Sequence, residues 1–528
     1  MFSKLNRRGF MAASAAALAS PAIAQPARAR TLRVVPQANL TALDPIWTTA
    51  SVTTGHGYAV FDVLYSLDGQ LRPQPQMAEG HEVSQDQLTW NIKLRPGLKF
   101  HDGEPVLAKD CTASLIRWSK RDSFGQTLAR FVEAWEAPDD RTIRIRLNKP
   151  FAPLLDAIAK PASMVAFIMP ERLAKTDAMT QVSEVVGSGP MRFLKDEFVA
   201  GTRVVYARNE AYVPRDEKAD YLAGGKRVHF DRIEWQIIPD ASTAAAALRN
   251  GEVDWWEFTL PDLNPVLART NGVTVTPVDT MGFISILRFN HLNPPFNNVK
   301  LRQAVLMALD QADYMRAVNG DNVKWQRCAS AFPCGIPFSP ELGANLLNTP
   351  RDLAKAREAV KAAGYNGEKV VLMNPADFPS IAPLGDVTAD LLKKLGFNVD
   401  LQSMDWGTLG QRRTSKAPID QGGWNIFHTW TTSVSITNPA LNYYLRGQGQ
   451  AGWFGWYENA RIEALTDEWT RAITDAEKSR IFDAIQTETW ATLPFVPLGQ
   501  YFPTTAHRSN IVDRIAATNC IPWNVRRT

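Results

Sequence analysis

Residues 87–118 read QLTWNIKLRPGLKFHDGEPVLAKDCTASLIRW, and their periodicity changes midway. From Thr89 to Leu94 the apolar Trp90, Ile92 and Leu94 alternate with Asn91 and Lys93. That is the period of a half-buried strand. Pro96-Gly97 is a turn pair, because proline presets φ at one corner and glycine tolerates positive φ at the next. Lys99 to His101 reads as a second extended run, turned by Asp102-Gly103. Beyond Pro105, the residues Leu107, Cys111, Leu115 and Trp118 mark one face of a helix. The stretch therefore predicts strand, turn, strand, turn, helix. In this unit His101 and Asp102 read as turn residues of a scaffold rather than as metal ligands.

The string W-x-I-x-L-R-x-G-L-K-F-H-D-G-E-P-x-x-A-K-D within this stretch resembles the signature of extracellular solute-binding family 5. These are large periplasmic receptors of ABC importers for peptides, nickel and related solutes. Two departures are minor. Val106-Leu107 stands where the family usually has a threonine near the helix start, a cap worth about 1 kcal/mol. Cys111 replaces a usual valine. Other stretches carry the resemblance onward: Gly187-Ser188-Gly189-Pro190, Asn209 to Tyr212, the Asp240 to Asp254 run, and Asn290 to Asp310. It covers residues from about 30 to 528.

The resemblance implies an α/β, two-lobed periplasmic-binding-protein fold of the large three-domain variety (type II), with mixed sheets and a two-strand hinge. By analogy, lobe one takes residues 30–63, 186–283 and 492–528. An extra domain takes 64–185, and lobe two takes 284–491. The chain then crosses between lobes near 282–289 and 492–500, which suits closure on a ligand. Within lobe two, helical patterns at 351–364 and 386–396 alternate with strand patterns at 369–373 and 397–402. That order suggests a mostly parallel sheet.

Composition excludes some classes. The chain has 528 residues, 45% hydrophobic and 21% charged, as in folded multidomain proteins. Its formal charge is +4, but residues 1–24 of an export signal over residues 1–29 hold Lys4, Arg7 and Arg8 and no acid. Without those three positive charges +1 remains, so charge-driven binding of nucleic acid or anionic membrane is not expected. Asn6-Arg7-Arg8-Gly9-Phe10-Met11 resembles a twin-arginine motif, with cleavage after Ala24 or Ala29. The mature protein is then expected in the periplasm, as a monomer, with an inner-membrane ABC permease as partner. Of four cysteines, Cys328 and Cys334 are close in sequence. They read either as a disulfide closing a small surface loop or as two unrelated thiols. Cys111 reads as core.

No catalytic constellation, cofactor or metal site is expected: the chain has no G-x-S-x-G, H-E-x-x-H or Walker A motif. The G-x-G-x-x-G from Gly447 to Gly452 follows no strand and reads as a loop. The tryptophans are more informative. Trp406, Trp424, Trp430, Trp453 and Trp456 crowd one segment, and aromatic walls suit a solute pocket. By resemblance, Trp424, His428, Trp430 and Thr431 lie on the ligand-contacting stretch of lobe two, while Asn39 and Leu40 lie on the first loop facing the cleft. With Trp406 these are the candidate ligand-binding residues. An aromatic cage there would suit a cationic group, and His428 a nickel chelate.

One departure matters. Peptide-binding members usually place an aspartate after this tryptophan to hold the α-ammonium, and dipeptide-type members use an arginine shortly before the helix near Pro383. The segment from Phe427 to Pro439 reads FHTWTTSVSITNP and contains no acid, and Asp377-Phe378-Pro379 stands in the arginine's region. Burying an unpaired ammonium costs several kcal/mol. Asp405 or Asp377 would have to supply the charge. A peptide or peptide-sized solute is the leading expectation. A non-peptide solute (metal chelate, glycan, opine or cationic compound) is the alternative, and a chaperone or enzyme on this scaffold is a more distant one.

Overall fold

The computed structural model describes residues 30–528 except 163, 348, 349 and 473, so the expected export signal lies outside the described residues. Three sheets organise it. The first has seven strands, in the order Met191–Phe193, Arg203–Arg208, Arg232–Gln236, Thr31–Val35, Trp255–Trp256, Thr504–Arg508 and Val273–Pro277. Thr31–Val35 runs parallel to both its neighbours, and the other pairs are antiparallel.

The second sheet has six strands: Trp325–Gln326, Phe495–Tyr501, Phe283–Phe289, Ile426–Thr432, Lys369–Pro375 and Asn398–Met404. Lys369–Pro375 runs parallel to both its neighbours, with helix Ala382–Lys394 between it and Asn398–Met404 in the chain. Phe283–Phe289, however, is antiparallel to Ile426–Thr432 and to Phe495–Tyr501. The sheet is therefore mixed, not mostly parallel.

The third sheet is antiparallel, in the order Ala78–Val83, Thr89–Leu94, Thr142–Leu147 and Val132–Glu136. Ile143, Ile145 and Leu147 alternate inward. Helix Ala108–Ser119 buries Cys111, Leu115 and Trp118 in the same core. Leu107 offers this helix no side-chain cap, but the Asp110 carboxylate accepts the Leu107 N–H at 2.8 Å. The expected second strand at Lys99–His101 is reduced to one bridge between Lys99 and Pro105. The reason is a docking contact. The His101 N–H donates to the Gly187 carbonyl at 2.8 Å, and Nε2 lies 3.1 Å from the Gly189 carbonyl. Burial pushes the His101 pKa down to about 4. The turn it meets needs glycine: a Cβ on Gly187 would lie 2.0 Å from the Val60 oxygen.

The crossings between the first two sheets differ from the expected ones. Phe283–Phe289 and Phe495–Tyr501 lie wholly within the second sheet and pair with each other, Phe283 opposite Tyr501. Every residue of both strands is buried, which fixes them in that core. The chain crosses instead at residues 278–282 and 502–503. The Val278 N–H donates to the Pro503 carbonyl at 2.8 Å and ties the crossings together. Asp279 accepts the N–H groups of Met281 and Gly282 at 2.9 and 2.6 Å. Gly282 has φ +71°, and a Cβ there would lie 2.5 Å from the Tyr501 oxygen.

The third sheet's domain is bound to both neighbours. Arg117 pairs with Asp44 at 2.6 Å, and the pair is buried. On the other side Phe124 meets Trp469, and Arg446 donates to Thr127 Oγ1 at 2.9 Å. Cys328 and Cys334 are bonded with Cα atoms 5.7 Å apart, and Cys111 and Cys520 are buried thiols.

Candidate functional site

An aromatic wall spans the two lobes. Phe258 follows strand Trp255–Trp256 of the first sheet. Its ring lies 5.6 Å from Phe283 and 6.2 Å from Trp430 of the second sheet. Trp430 stands on Ile426–Thr432, and its Nε1–H donates to Ser380 Oγ at 3.0 Å. Phe378 continues the wall, 6.4 Å from Trp430 and 5.2 Å from Trp406. Trp406 opens helix Trp406–Arg412, which Asp405 caps by accepting the Thr408 N–H at 2.9 Å. The Trp406 N–H itself donates to Asp377 Oδ1 at 2.8 Å. All four rings are only half-buried.

The expected site residues divide. Trp406 and Trp430 stand in the wall. Thr431 is buried and accepts the Tyr443 hydroxyl at 3.0 Å. Trp424 is fully buried against Phe427 and Trp456, so it is core and not wall. His428 is also fully buried, with Nε2 2.8 Å from Thr388 Oγ1. Burial pushes its pKa down to about 3, and its Nδ1 is buried with no partner among the described residues. Gly423 serves chain packing rather than ligand approach, since a Cβ would lie 2.2 Å from the Ala417 oxygen. Leu40 is buried in the first-sheet core, and Asn39 accepts the Gly201 N–H at 3.2 Å.

The segment without acids is equally well defined. The Ser433 N–H donates to the Gly282 carbonyl at 2.9 Å, beside the hinge, and its hydroxyl is buried without a partner among the described residues. Asp377 and Asp405 are exposed and serve as backbone N–H acceptors. Glu257, next to Phe258, is buried and accepts the N–H groups of Gln37 and Cys520 at 2.7 and 2.9 Å. Desolvation raises its pKa to about 7. Its contact with Gln37 pins the first loop rather than serving a ligand.

The other rings of this region already hold cations of the protein. Arg288 lies 5.2 Å from the Trp453 ring, Lys416 5.6 Å from Trp456, and Arg413 4.5 Å from Phe454. Arg413 also lies 5.5 Å from Trp406 and 5.9 Å from Phe427. Sequence reading missed Phe258 and Phe378. Phe258 lies far in sequence from the tryptophan cluster.

The fold and this wall define a two-lobed binding protein with paired crossings beneath a cleft. The model of the bacterial extracellular solute-binding proteins, family 5 (middle), matches residues 72–453, and the chain belongs to that family. It is 36% identical to a protein of Sinorhizobium fredii described as a probable peptide ABC transporter periplasmic-binding protein, y4tO. That likeness covers 98% of this chain and 97% of the relative. It is 26% identical to the glutathione-binding protein GsiB of Escherichia coli K12, over 97% and 96% of the two chains. Among solved structures, the Helicobacter pylori periplasmic binding protein DppA, in complex with the peptide STSA, superposes with a TM-score of 0.78. That match has 22% identity and covers 94% of this chain and 98% of DppA. The binding protein AgaA from A.tumefacien R10, in complex with agropinic acid, gives 0.81 at 21% identity, over 94% and 99%.

Proposed function

We propose that this chain is the periplasmic receptor of an ABC importer, closing two lobes over a peptide or peptide-sized solute and presenting it to an inner-membrane permease. The observation that carries this reading is the pair of crossings at 278–282 and 502–503, with aromatic rings from both lobes meeting above them. A solute seated between Phe258 and Trp430 contacts both lobes only when they are closed. It therefore binds the closed state better and shifts the population toward it. The protein makes and breaks no covalent bond in the solute. The relatives named above support this reading by their descriptions.

Residues 1–29 fit export of the folded protein by the twin-arginine route, and among the described residues no helix is long and apolar enough to cross a membrane. The receptor then acts as a soluble monomer. A second reading, a non-peptide solute, is favoured by the acid-free run from Phe427 to Pro439. The test is calorimetric titration of ligand-stripped mature protein with defined di- to pentapeptide pools, followed by recovery of the peptides. Saturable binding with intact peptides supports the peptide reading. Binding of non-peptide solutes alone supports the second, and conversion of the peptides contradicts both.

A further inference from the structure

We propose that Gln500 fixes the lobe-two end of the hinge and that the Cys328–Cys334 disulfide holds Gln500 in place, so that opening the disulfide loosens the crossing at 278–282. This rests on the receptor reading above, in which closure turns about that crossing.

Gln500 stands on strand Phe495–Tyr501, just before the crossing at 502–503, and is 2% exposed. Its Nε2 donates to the Met281 carbonyl at 2.7 Å, in the opposite crossing, and lies 3.4 Å from the Cys334 carbonyl. Its Oε1 accepts the Cys334 N–H at 3.0 Å and the Gln326 amide at 3.2 Å. One side-chain amide therefore links the disulfide loop to the crossing. A flipped amide would set donor against donor at Cys334 and acceptor against acceptor at Met281, so its orientation is fixed.

The loop is anchored at its other end. Cys328 is fully buried, and Gln311 accepts its N–H at 2.8 Å. The Gln311 amide donates to the carbonyls of Cys328 and Pro497 at 2.9 and 2.8 Å. Midway, the Ala331 N–H donates to Gln486 Oε1 at 3.0 Å, and its carbonyl accepts from Asn442 at 2.9 Å. Cys334 is only half-buried, and the chain beyond it is exposed at Gly335. The bond to Cys328, six residues back, is what ties Cys334 to this anchored part of the loop.

The crossing is held by lobe two at two successive carbonyls. Met281 is bound by Gln500, and Gly282 accepts the Ser433 N–H at 2.9 Å. Rotation between the lobes is then confined to residues 278–280. If Cys334 leaves Gln500, Oε1 loses an N–H donor inside the protein. A buried polar atom short of a partner seeks another, which draws the amide off Met281. Gln500 acts on the crossing as a positioning residue.

A disulfide also stabilises by restricting the unfolded chain, a role that involves no particular partner. Hydrogen exchange of the solute-free mature protein separates the two roles, read by mass spectrometry of peptides spanning 278–282 and 142–147. The disulfide is opened in two ways: by the double variant Cys328→Ser/Cys334→Ser, and by a phosphine reductant on the folded wild type. Either is expected to speed exchange at Met281 and Gly282 by about tenfold. Gln500→Met, which keeps the side chain's length and removes its hydrogen bonds, is expected to give a similar increase. In Gln500→Met, opening the disulfide adds less than about twofold, because the link is already cut. Exchange at Ile143 and Ile145, in the third sheet, stays unchanged throughout.

Exchange at Met281 and Gly282 that is indifferent to the disulfide overturns the proposal. So does a disulfide effect as large in Gln500→Met as in the wild type, or one that speeds Ile143 and Ile145 equally. The coupling is measured without solute, so conversion of the peptides in the titration above would contradict the receptor reading alone.

Discussion

Lys226→Met is expected to destabilise the protein by about 3 kcal/mol, with no direct effect on the cleft. Lys226 Nζ lies 2.6 Å from Asp62 Oδ1, with side-chain exposures of 0% and 1%. Lys226 also stands 4.7 Å from the Trp523 ring. The pair joins Asp62–Val63, the strand that leads into the third sheet's domain, to the C-terminal packing of lobe one. Removing one partner of a buried pair costs about 3–5 kcal/mol, because the other charge is left uncompensated. Here the Asp62 carboxylate would keep the Tyr212 hydroxyl and the Val63 N–H, both at 2.9 Å. Those donors set the expectation at the lower end of that range. Asp62→Asn in the Lys226→Met background removes the stranded charge and should recover at least half the loss. The assay is urea unfolding followed by tryptophan fluorescence, comparing the midpoint of the transition that includes lobe one. A loss below about 1 kcal/mol, or a double variant no better than the single, would refute the reasoning.

Gly282→Ala should cost about 2 kcal/mol or more in thermal unfolding, from its positive φ and the clash at the Tyr501 oxygen. It should also slow ligand-induced closure, measured by stopped-flow tryptophan fluorescence, whereas an unchanged closure rate would place the hinge elsewhere. Phe258→Ala removes lobe one's contribution to the aromatic wall and should weaken solute binding by about 1–2 kcal/mol, read by titration calorimetry. Acidification should destabilise the fold through His428. Its folded pKa is depressed to about 3 from 6.5, so the stability linked to its neutral form is complete above 6.5 and is lost as pH falls toward 3. The stability difference between wild type and His428→Leu should therefore shrink from pH 7 to pH 4, and a pH-independent difference would disprove the linkage.

Much of the fold was legible because its signals are local. The alternation in Thr89–Leu94 and in Thr142–Leu147 appears as buried and exposed faces, since one side of each strand meets a core. Asp240 and Gly251 bound the helix Ala241–Asn250 as their chemistry predicts, one as N-cap and one at φ +71°. What failed was non-local. Phe495–Tyr501 has no feature that says which sheet it joins; its pairing with Phe283–Phe289, more than two hundred residues away, decides that. The candidate site was half legible for the same reason. Aromatic density marked the segment that holds Trp406 and Trp430, but residue type alone did not separate Trp430 in the wall from Trp424 in the core. His428 and Trp430 are two residues apart on one strand, yet one is sealed under Thr388 and the other meets Phe258 edge to face.

The account stands most directly on what the protein carries. Native mass spectrometry of the mature protein from its own periplasm, followed by gentle denaturation, releases and weighs that cargo. One small solute per chain is expected, unchanged after prolonged incubation with fresh protein. Release of a solute that fresh protein converts into a product of different mass would contradict it.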